Sequence, residues 1–143
     1  MTYATLANLE DRYGRTMLVQ LTDRGQPATG QVDVETVDRA LADTDAMIDG
    51  YLAVRYRLPI ARVPKLLVDL AEVIAIYKLH RRGEAEKITA DYRDALKTLA
   101  DLAAGRQRLD LDGVEPEASP TGGTRVGGPA KVFTDAVLRD YVR

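Results

Sequence analysis

The residues of this sequence that could do chemistry are few, and they do not converge on one active site. The 143 residues include no cysteine and a single histidine, His80. A thiol nucleophile, a disulfide and a thiolate metal site are therefore excluded, and a lone histidine cannot make a histidine-based metal site. His80 stands near the predicted end of a helix, where the dipole favours an imidazolium, so we expect a capping or surface role.

Carboxylates are the second group with chemical potential. Asp45 and Asp49 are spaced i, i+4, which places both on one face of a helix, as binding of a hard cation would require. We interpret them instead as a solvated acidic edge shared with Asp38. The loop after Asp23 lacks the alternating ligands and the closing glutamate of an EF-hand. No phosphate loop, dinucleotide fingerprint or nucleophile elbow is present, so the sequence predicts neither an enzyme nor a cofactor.

The segment IDGYLAVRYRLPIARVP, residues 48–64, concentrates cationic and aromatic side chains. Arginine with tyrosine can contact phosphates and stack on bases. A helix-turn-helix protein, however, joins its helices by three or four residues and usually has a basic surface, whereas this connection holds two prolines beside an acidic helix. A small DNA-binding regulator is therefore the less favoured alternative to arginine pairing with acidic residues of a neighbouring subunit. The residues concerned are Tyr51, Arg55, Tyr56, Arg57 and Arg62.

Helical patterns account for the first 105 residues. Thr5 as N-cap and Gly14 as stop delimit a short helix, and the residues that follow add a second helical turn or two. Glycines, a proline and small polar residues predict a loop over residues 23–31. Asp33 begins the most clearly periodic helix, which we expect to end at Pro59, because the residue before a proline is pushed out of the α region.

The next predicted helix, residues 64–82, is apolar almost all round. A helix of this kind is buried on nearly every side. It is either the central helix of a small bundle or it meets another subunit with part of its surface, and Val68, Ile76 and Leu79 are the excess apolar residues in question. The helix after it, residues 84–104, is amphipathic in the ordinary way.

The composition changes after Gly105. Residues 106–113 alternate and could form a strand, and the stretch up to residue 130 is rich in Pro, Gly, Ser and Thr, as in an extended or disordered linker. Residues 131–143, KVFTDAVLRDYVR, restore apolar side chains and resemble an arm that docks on a partner, although folding back on the same domain is an equal alternative. The residues expected to dock are Lys131, Val132, Phe133, Leu138, Arg139 and Tyr141.

The predicted fold is all-α, a small bundle of about four helices with an extended, flexible C-terminal arm. The chain is 45% hydrophobic and 29% charged with a formal net charge of −2, which is typical of a globular domain without a general nucleic-acid footprint. The N-terminus lacks a signal-peptide pattern, and no apolar run approaches the roughly 20 residues of a membrane helix. We expect neither export nor a membrane partner.

Four segments together resemble a known family. MTYATLANLEDRYG, MLVQLTDR, VDRALADTDAMIDGYLAVRYRLP and FTDAVLRDYV are similar, in the same order and spacing, to Mu-like prophage proteins grouped with phage head-to-tail connector proteins, also called head completion or neck adaptor proteins. IDGYLAVRYRLP, residues 48–59, is the strongest portion. The loop after Asp23 departs from the pattern, because relatives are often richer in Asp and Gly there, which further weakens a cation site.

The resemblance implies a connector domain over residues 1–105 that assembles as a ring of about a dozen copies. The ring would lie in the virion neck between portal and tail proteins, after synthesis in the host cytoplasm, and DNA would pass through its lumen without sequence specificity. A tail-completion or tail-terminator ring is the nearest alternative. The residues expected at the subunit interface are Asp38, Asp45, Asp49, Arg55, Tyr56, Arg57, Arg62, Val68, Ile76 and Leu79.

Overall fold

The structure is a computed structural model that describes residues 1–80 and 85–111. Within these two ranges every regular element is an α-helix and no strand is present. The all-α prediction is confirmed for this part of the molecule, whereas the predicted arm, residues 131–143, lies outside the described residues. The helices are α1 (Leu6–Tyr13), α2 (Arg15–Thr22), α3 (Val34–Leu52), α4 (Lys65–Leu79) and α5 (Glu86–Ala103).

The first two helices are separated by a single glycine. The Thr5 hydroxyl accepts the Asn8 amide at 3.4 Å, and the Thr5 amide donates to Asn8 Oδ1 at 2.8 Å, which is the capping box of α1. Gly14 then adopts φ 85°, a value that side-chain-bearing residues avoid, and its amide donates to the Glu10 carbonyl at 2.9 Å. The predicted cap and stop are both confirmed. The residues after the stop form a helix of their own, so the described residues contain five helices instead of about four.

The helix α3 begins where predicted and ends earlier. The Asp33 carboxylate accepts the amides of Glu35 and Thr36 at 3.1 and 3.4 Å, as expected of an N-cap. The regular helix stops at Leu52, so the prediction that it runs to Pro59 is wrong. The tyrosines and arginines of the segment 48–64 thus lie mainly in the connection between α3 and α4, residues 53–64.

The apolar helix α4 is the central helix of the bundle. It packs against α1, α3 and α5, and Leu67, Ile74 and Ile76 are essentially inaccessible to solvent. Of the two interpretations that its composition allowed, burial within the same chain is confirmed over most of the helix. Its buried Glu72 accepts a hydrogen bond from Arg12 of α1 at 2.8 Å, and this bond raises the pKa of the guanidinium.

Both α4 and α5 end at residues that act as local stop signals. His80 caps α4, with its ring Nδ1 2.7 Å from the Ile76 carbonyl, which confirms the capping prediction. Gly105 follows α5 with φ 74°. Residues 106–111 form no strand, and Leu109 is buried against the helical core. None of the helices in the described ranges is long and apolar enough to cross a membrane.

Candidate functional site

The connection between α3 and α4 is built around a buried tyrosine. The amides of Arg55 and Tyr56 both donate to the Leu52 carbonyl, at 3.0 and 2.8 Å, and this turn directs the Tyr56 ring into the core. Tyr56 is only 4% exposed, and its hydroxyl accepts the Leu109 amide at 3.2 Å. The prediction of Tyr56 as a subunit-contact residue is therefore corrected, because its ring and hydroxyl are already used inside the chain.

The three arginines of this connection have different environments. Arg55 is half-buried, and its guanidinium lies directly against the Cα side of Gly105, where an added Cβ would overlap Arg55 Nη1. Arg55 therefore packs on the end of α5 instead of facing outward. Arg57 and Arg62 are exposed. The sequence grouped the three together, whereas the structure leaves two of them at the surface.

Tyr51 does not join the arginines either. It is half-buried at the end of α3, close to a stacked pair formed by Tyr77 of α4 and Tyr92 of α5. The two stacked rings have centroids 3.8 Å apart and are inclined by 5°. Burial raises the pKa of Tyr92, and the neighbouring Tyr77 and Tyr51 hydroxyls act in the same direction. The sequence analysis missed this cluster, since its members come from three separate helices.

The acidic edge of α3 is divided by the N-terminal segment. The Tyr3 amide donates to Asp45 Oδ1 at 3.0 Å, and the Tyr3 hydroxyl donates to Asp49 Oδ1. Burial raises the pKa of Asp45, although the Tyr3 amide opposes the rise, and burial followed by the Asp49 contact raises the pKa of Tyr3. Asp45 and Asp49 are half-buried, so the interpretation of a fully solvated edge holds for Asp38 alone.

The three apolar residues assigned to an interface on α4 are mostly covered by the chain itself. Ile76 is 1% exposed and Leu79 is 2% exposed. The expectation that they are excess surface is corrected, because α4 is surrounded by three other helices of the same chain. Val68 is half-buried and keeps part of its side chain accessible. The predicted arm residues, Lys131, Val132, Phe133, Leu138, Arg139 and Tyr141, fall outside the described ranges.

Of the ten residues expected at the subunit interface, only Asp38, Arg57 and Arg62 are exposed in the described structure. Asp38 lies near the start of α3, whereas Arg57 and Arg62 follow its end. Asp43, a further exposed acid on α3, was not singled out from the sequence. Across residues 1–80 and 85–111, no group of three or more His, Asp or Glu side chains is placed to hold a metal ion. The arrangement suits contacts between charged surfaces.

Comparison with known proteins gives the family. Residues 3–127 match the protein family described as "Bacteriophage Mu, Gp36". The chain belongs to the Mu Gp36 family. One Gp36 relative, "Gene product J" of Escherichia phage Mu, is 44% identical over 122 residues, which cover 85% of each chain.

A second Gp36 relative extends the match. The "Mu-like prophage FluMu protein gp36" of Haemophilus influenzae is 29% identical over 140 residues, 98% of each chain. A match of that length necessarily runs into residues 131–143. The family assignment therefore confirms the Mu-like prophage resemblance, and the match to this relative includes the segment that the sequence analysis interpreted as an arm.

Proposed function

We propose that this Gp36-family chain is a structural virion protein, a head-to-tail connector that forms a ring between portal and tail and lets DNA pass through its lumen. It works by assembly and carries no catalytic activity. The observation that carries the proposal is the family match over residues 3–127, which includes the whole IDGYLAVRYRLP segment that resembles connector proteins.

The remaining charged surface suits a ring. Closed rings of identical subunits need heterologous contacts, in which two unlike faces of neighbouring copies meet. Leu52 lies fourteen positions after Asp38 along α3, which is about 21 Å at 1.5 Å per residue. An exposed carboxylate therefore lies at one end of α3 and the exposed arginines, Arg57 and Arg62, lie beyond the other. Such a separation lets one copy present its acid to the arginines of the next.

The buried core supports assembly from folded monomers. Because Ile76, Leu79 and Tyr56 are covered by their own chain, Asp38 and the exposed arginines are the part of the expected interface that stays accessible among the described residues. Exposed ion pairs each contribute about 0–1 kcal/mol, so the contact between two free copies should be weak. A ring with such contacts would form efficiently on a portal that gathers many copies, which suits a protein that stays dispersed until its partner appears.

The test of the connector is the light-scattering mass of the purified chain, alone and mixed with its cognate portal complex. We expect a monomer or small oligomer alone, and a portal complex heavier by many copies of the chain after mixing. Failure to join the portal at any ratio would contradict the proposal. Binding to the tail complex instead would favour a tail-terminator ring, and salt-dependent binding to DNA would favour a regulator.

A charge reversal tests the two faces of the ring. Arg57→Glu and Asp38→Arg should each reduce the number of copies bound per portal, because each places like charges opposite one another. Combining them restores an opposite-charge pair and should recover binding. Arg93→Glu, at an exposed arginine on α5, is the matched control and should bind like the unmodified chain. Loss without recovery in the double variant would remove Asp38 and Arg57 as partners.

A further inference from the structure

A groove of about 480 Å³ lies where the described part of the chain ends, between residues 60–66 of the α3–α4 connection and residues 108–111. This volume falls in the range of roughly 300–1,000 Å³ that is typical of binding pockets. Ile60 and Leu109 are nearly buried at its base, and Leu66 and Leu111 are half-buried along it. The base of the groove is therefore apolar and partly open to solvent.

The rim of the groove is predominantly cationic. Arg62, Lys65 and Arg108 line it, with Asp110 as the single acid among its described lining residues. Lys65 also pairs with Asp69 at 2.9 Å, an exposed contact that a competing carboxylate can replace at small cost. An apolar base within a basic rim fits a peptide that carries apolar anchors together with carboxylates.

The two walls of the groove are joined beneath it. The Leu109 amide donates to the buried Tyr56 hydroxyl at 3.2 Å, so the Tyr-Arg connection and residues 108–111 are held at a fixed separation. A groove that exists before its ligand arrives binds without the cost of ordering its own walls. Tyr56, in the segment 48–64, thus helps to shape this surface.

Residues 131–143 carry the pattern that this groove fits. Phe133, Val137 and Tyr141 recur at four-residue spacing, the arrangement with which a peptide helix fills an apolar groove. The segment holds Asp135 and Asp140, which can pair with the basic rim, beside the cationic Lys131, Arg139 and Arg143, so its fit to the groove rests on the apolar side chains. Nineteen residues separate Leu111, which lines the groove, from Lys131. For a random-coil chain of nineteen residues the root-mean-square span is about 24 Å, enough for the segment to reach its own groove or that of an adjacent copy.

We propose that the groove between residues 60–66 and 108–111 is the docking site of the segment 131–143. This inference deepens the proposed function by giving the arm a site. It is tested on the free protein without portal, so its failure would leave the connector proposal standing, and failure of portal binding would leave the groove standing.

The absence of cysteine makes disulfide trapping a clean test. In the full chain, Ala61→Cys, in the groove lining, is combined with Ala136→Cys in the segment. The matched control combines Ala136→Cys with Ala42→Cys, an exposed position on α3 outside the groove. Under mild oxidation, docking should raise the disulfide yield of the groove pair about tenfold over the control, through its higher effective concentration.

Non-reducing gels separate the forms of docking. Cross-linked dimers and longer ladders show that the segment occupies the groove of another copy, and a faster-migrating monomer shows that it occupies its own. Both support the groove as the site. Equal yields for the two cysteine pairs would overturn the proposal. Adding Phe133→Ala to the groove pair should lower its yield toward the control, and an unchanged yield would remove Phe133 as an anchor.

Discussion

The two long connections between described helices differ in how far along the chain their main side-chain contacts reach. In the connection between α2 and α3, residues 23–33, one carboxylate organises the backbone. Asp23 accepts the Thr29 amide at 3.0 Å and the Gly30 amide at 2.7 Å, and the Thr22 hydroxyl accepts the Asp33 amide at 3.0 Å. These hydrogen bonds span no more than 11 residues of sequence, and a longer contact accompanies them, in which Arg24 donates to the Leu79 carbonyl at 2.8 Å.

In the connection between α3 and α4, residues 53–64, the decisive contacts come from far along the chain. Tyr56 is bonded to Leu109, 53 residues away, and Arg55 packs against Gly105. The difference teaches that a loop with local polar contacts can be recognised from its own composition. A loop held by the core requires knowledge of which distant segment covers it.

The largest effect on stability is expected at Tyr56, in the connection between α3 and α4. Tyr56→Ala removes a buried aromatic ring and should lower the free energy of unfolding by about 3–5 kcal/mol. Tyr56→Phe keeps the ring and leaves the Leu109 amide without its acceptor, which should cost about 1–3 kcal/mol. Urea denaturation measures both values.

Tyr51→Phe, at a half-buried tyrosine of the same segment, is the control and should change the free energy of unfolding by less than about 0.5 kcal/mol. Equal effects of the two Tyr→Phe substitutions would mean that the Leu109 contact does not hold the second connection.

Alanine substitutions at two glycines distinguish the cost of backbone strain from the cost of a steric overlap. Gly30 and Gly105 have similar φ values, 70° and 74°, and an alanine there pays a left-handed penalty of about 1–2 kcal/mol. An added Cβ meets nothing within 4 Å at Gly30 but overlaps the Arg55 guanidinium at Gly105. Gly105→Ala should therefore be the more destabilising change in thermal unfolding.

The double variant Arg55→Ala/Gly105→Ala supplies the control for that overlap. Removing the guanidinium should bring the effect of Gly105→Ala close to that of Gly30→Ala, in a double-mutant cycle. If the two glycine substitutions cost the same in the presence of Arg55, the contact between Arg55 and α5 carries no weight in the second connection.

The smallest effect is expected in the first connection. Backbone hydrogen bonds from Thr29 and Gly30 lower the pKa of Asp23, so the folded state binds its proton more weakly than the unfolded chain. The stabilisation is present above the ordinary carboxyl range and is lost as pH falls through the lowered pKa. The protection factors of the Thr29 and Gly30 amides against hydrogen exchange should fall over that window.

Asp23→Asn should accelerate exchange at the same two amides several-fold at neutral pH, because the amide group keeps only one acceptor oxygen for the donors that share the carboxylate. The thermal midpoint should barely change. A large drop in the midpoint would show that the Asp23 hydrogen bonds support the core as well as the loop.

Much of the helical scaffold was predictable because its signals are local. The N-cap residues Thr5 and Asp33, the stop residues Gly14 and Gly105, and the capping histidine all act on neighbours a few residues away. Helix periodicity likewise located α3, α4 and α5 to within a few residues of their ends, except where α3 stops at Leu52.

The candidate interface was less predictable, because exposure depends on distant residues. Tyr3 donates hydrogen bonds to Asp45 and Asp49 from more than 40 positions away. The sequence pattern of α3 does not indicate this contact. Ile76 looked like surplus apolar surface when α4 was considered alone, yet three other helices of the chain cover that helix.

The sequence by itself determined the helix caps at Thr5, Gly14, Asp33 and Gly105, the position of the first connection, and membership of the Mu Gp36 family through residues 3–127. The tertiary structure alone decided that Tyr56 is a core residue and that Arg55 packs on α5, while Asp38, Arg57 and Arg62 stay exposed. The physical reason is the sequence distance between the groups that make each contact. Caps and turns are fixed by hydrogen bonds between near neighbours, whereas burial is fixed by which segments the folded chain brings together.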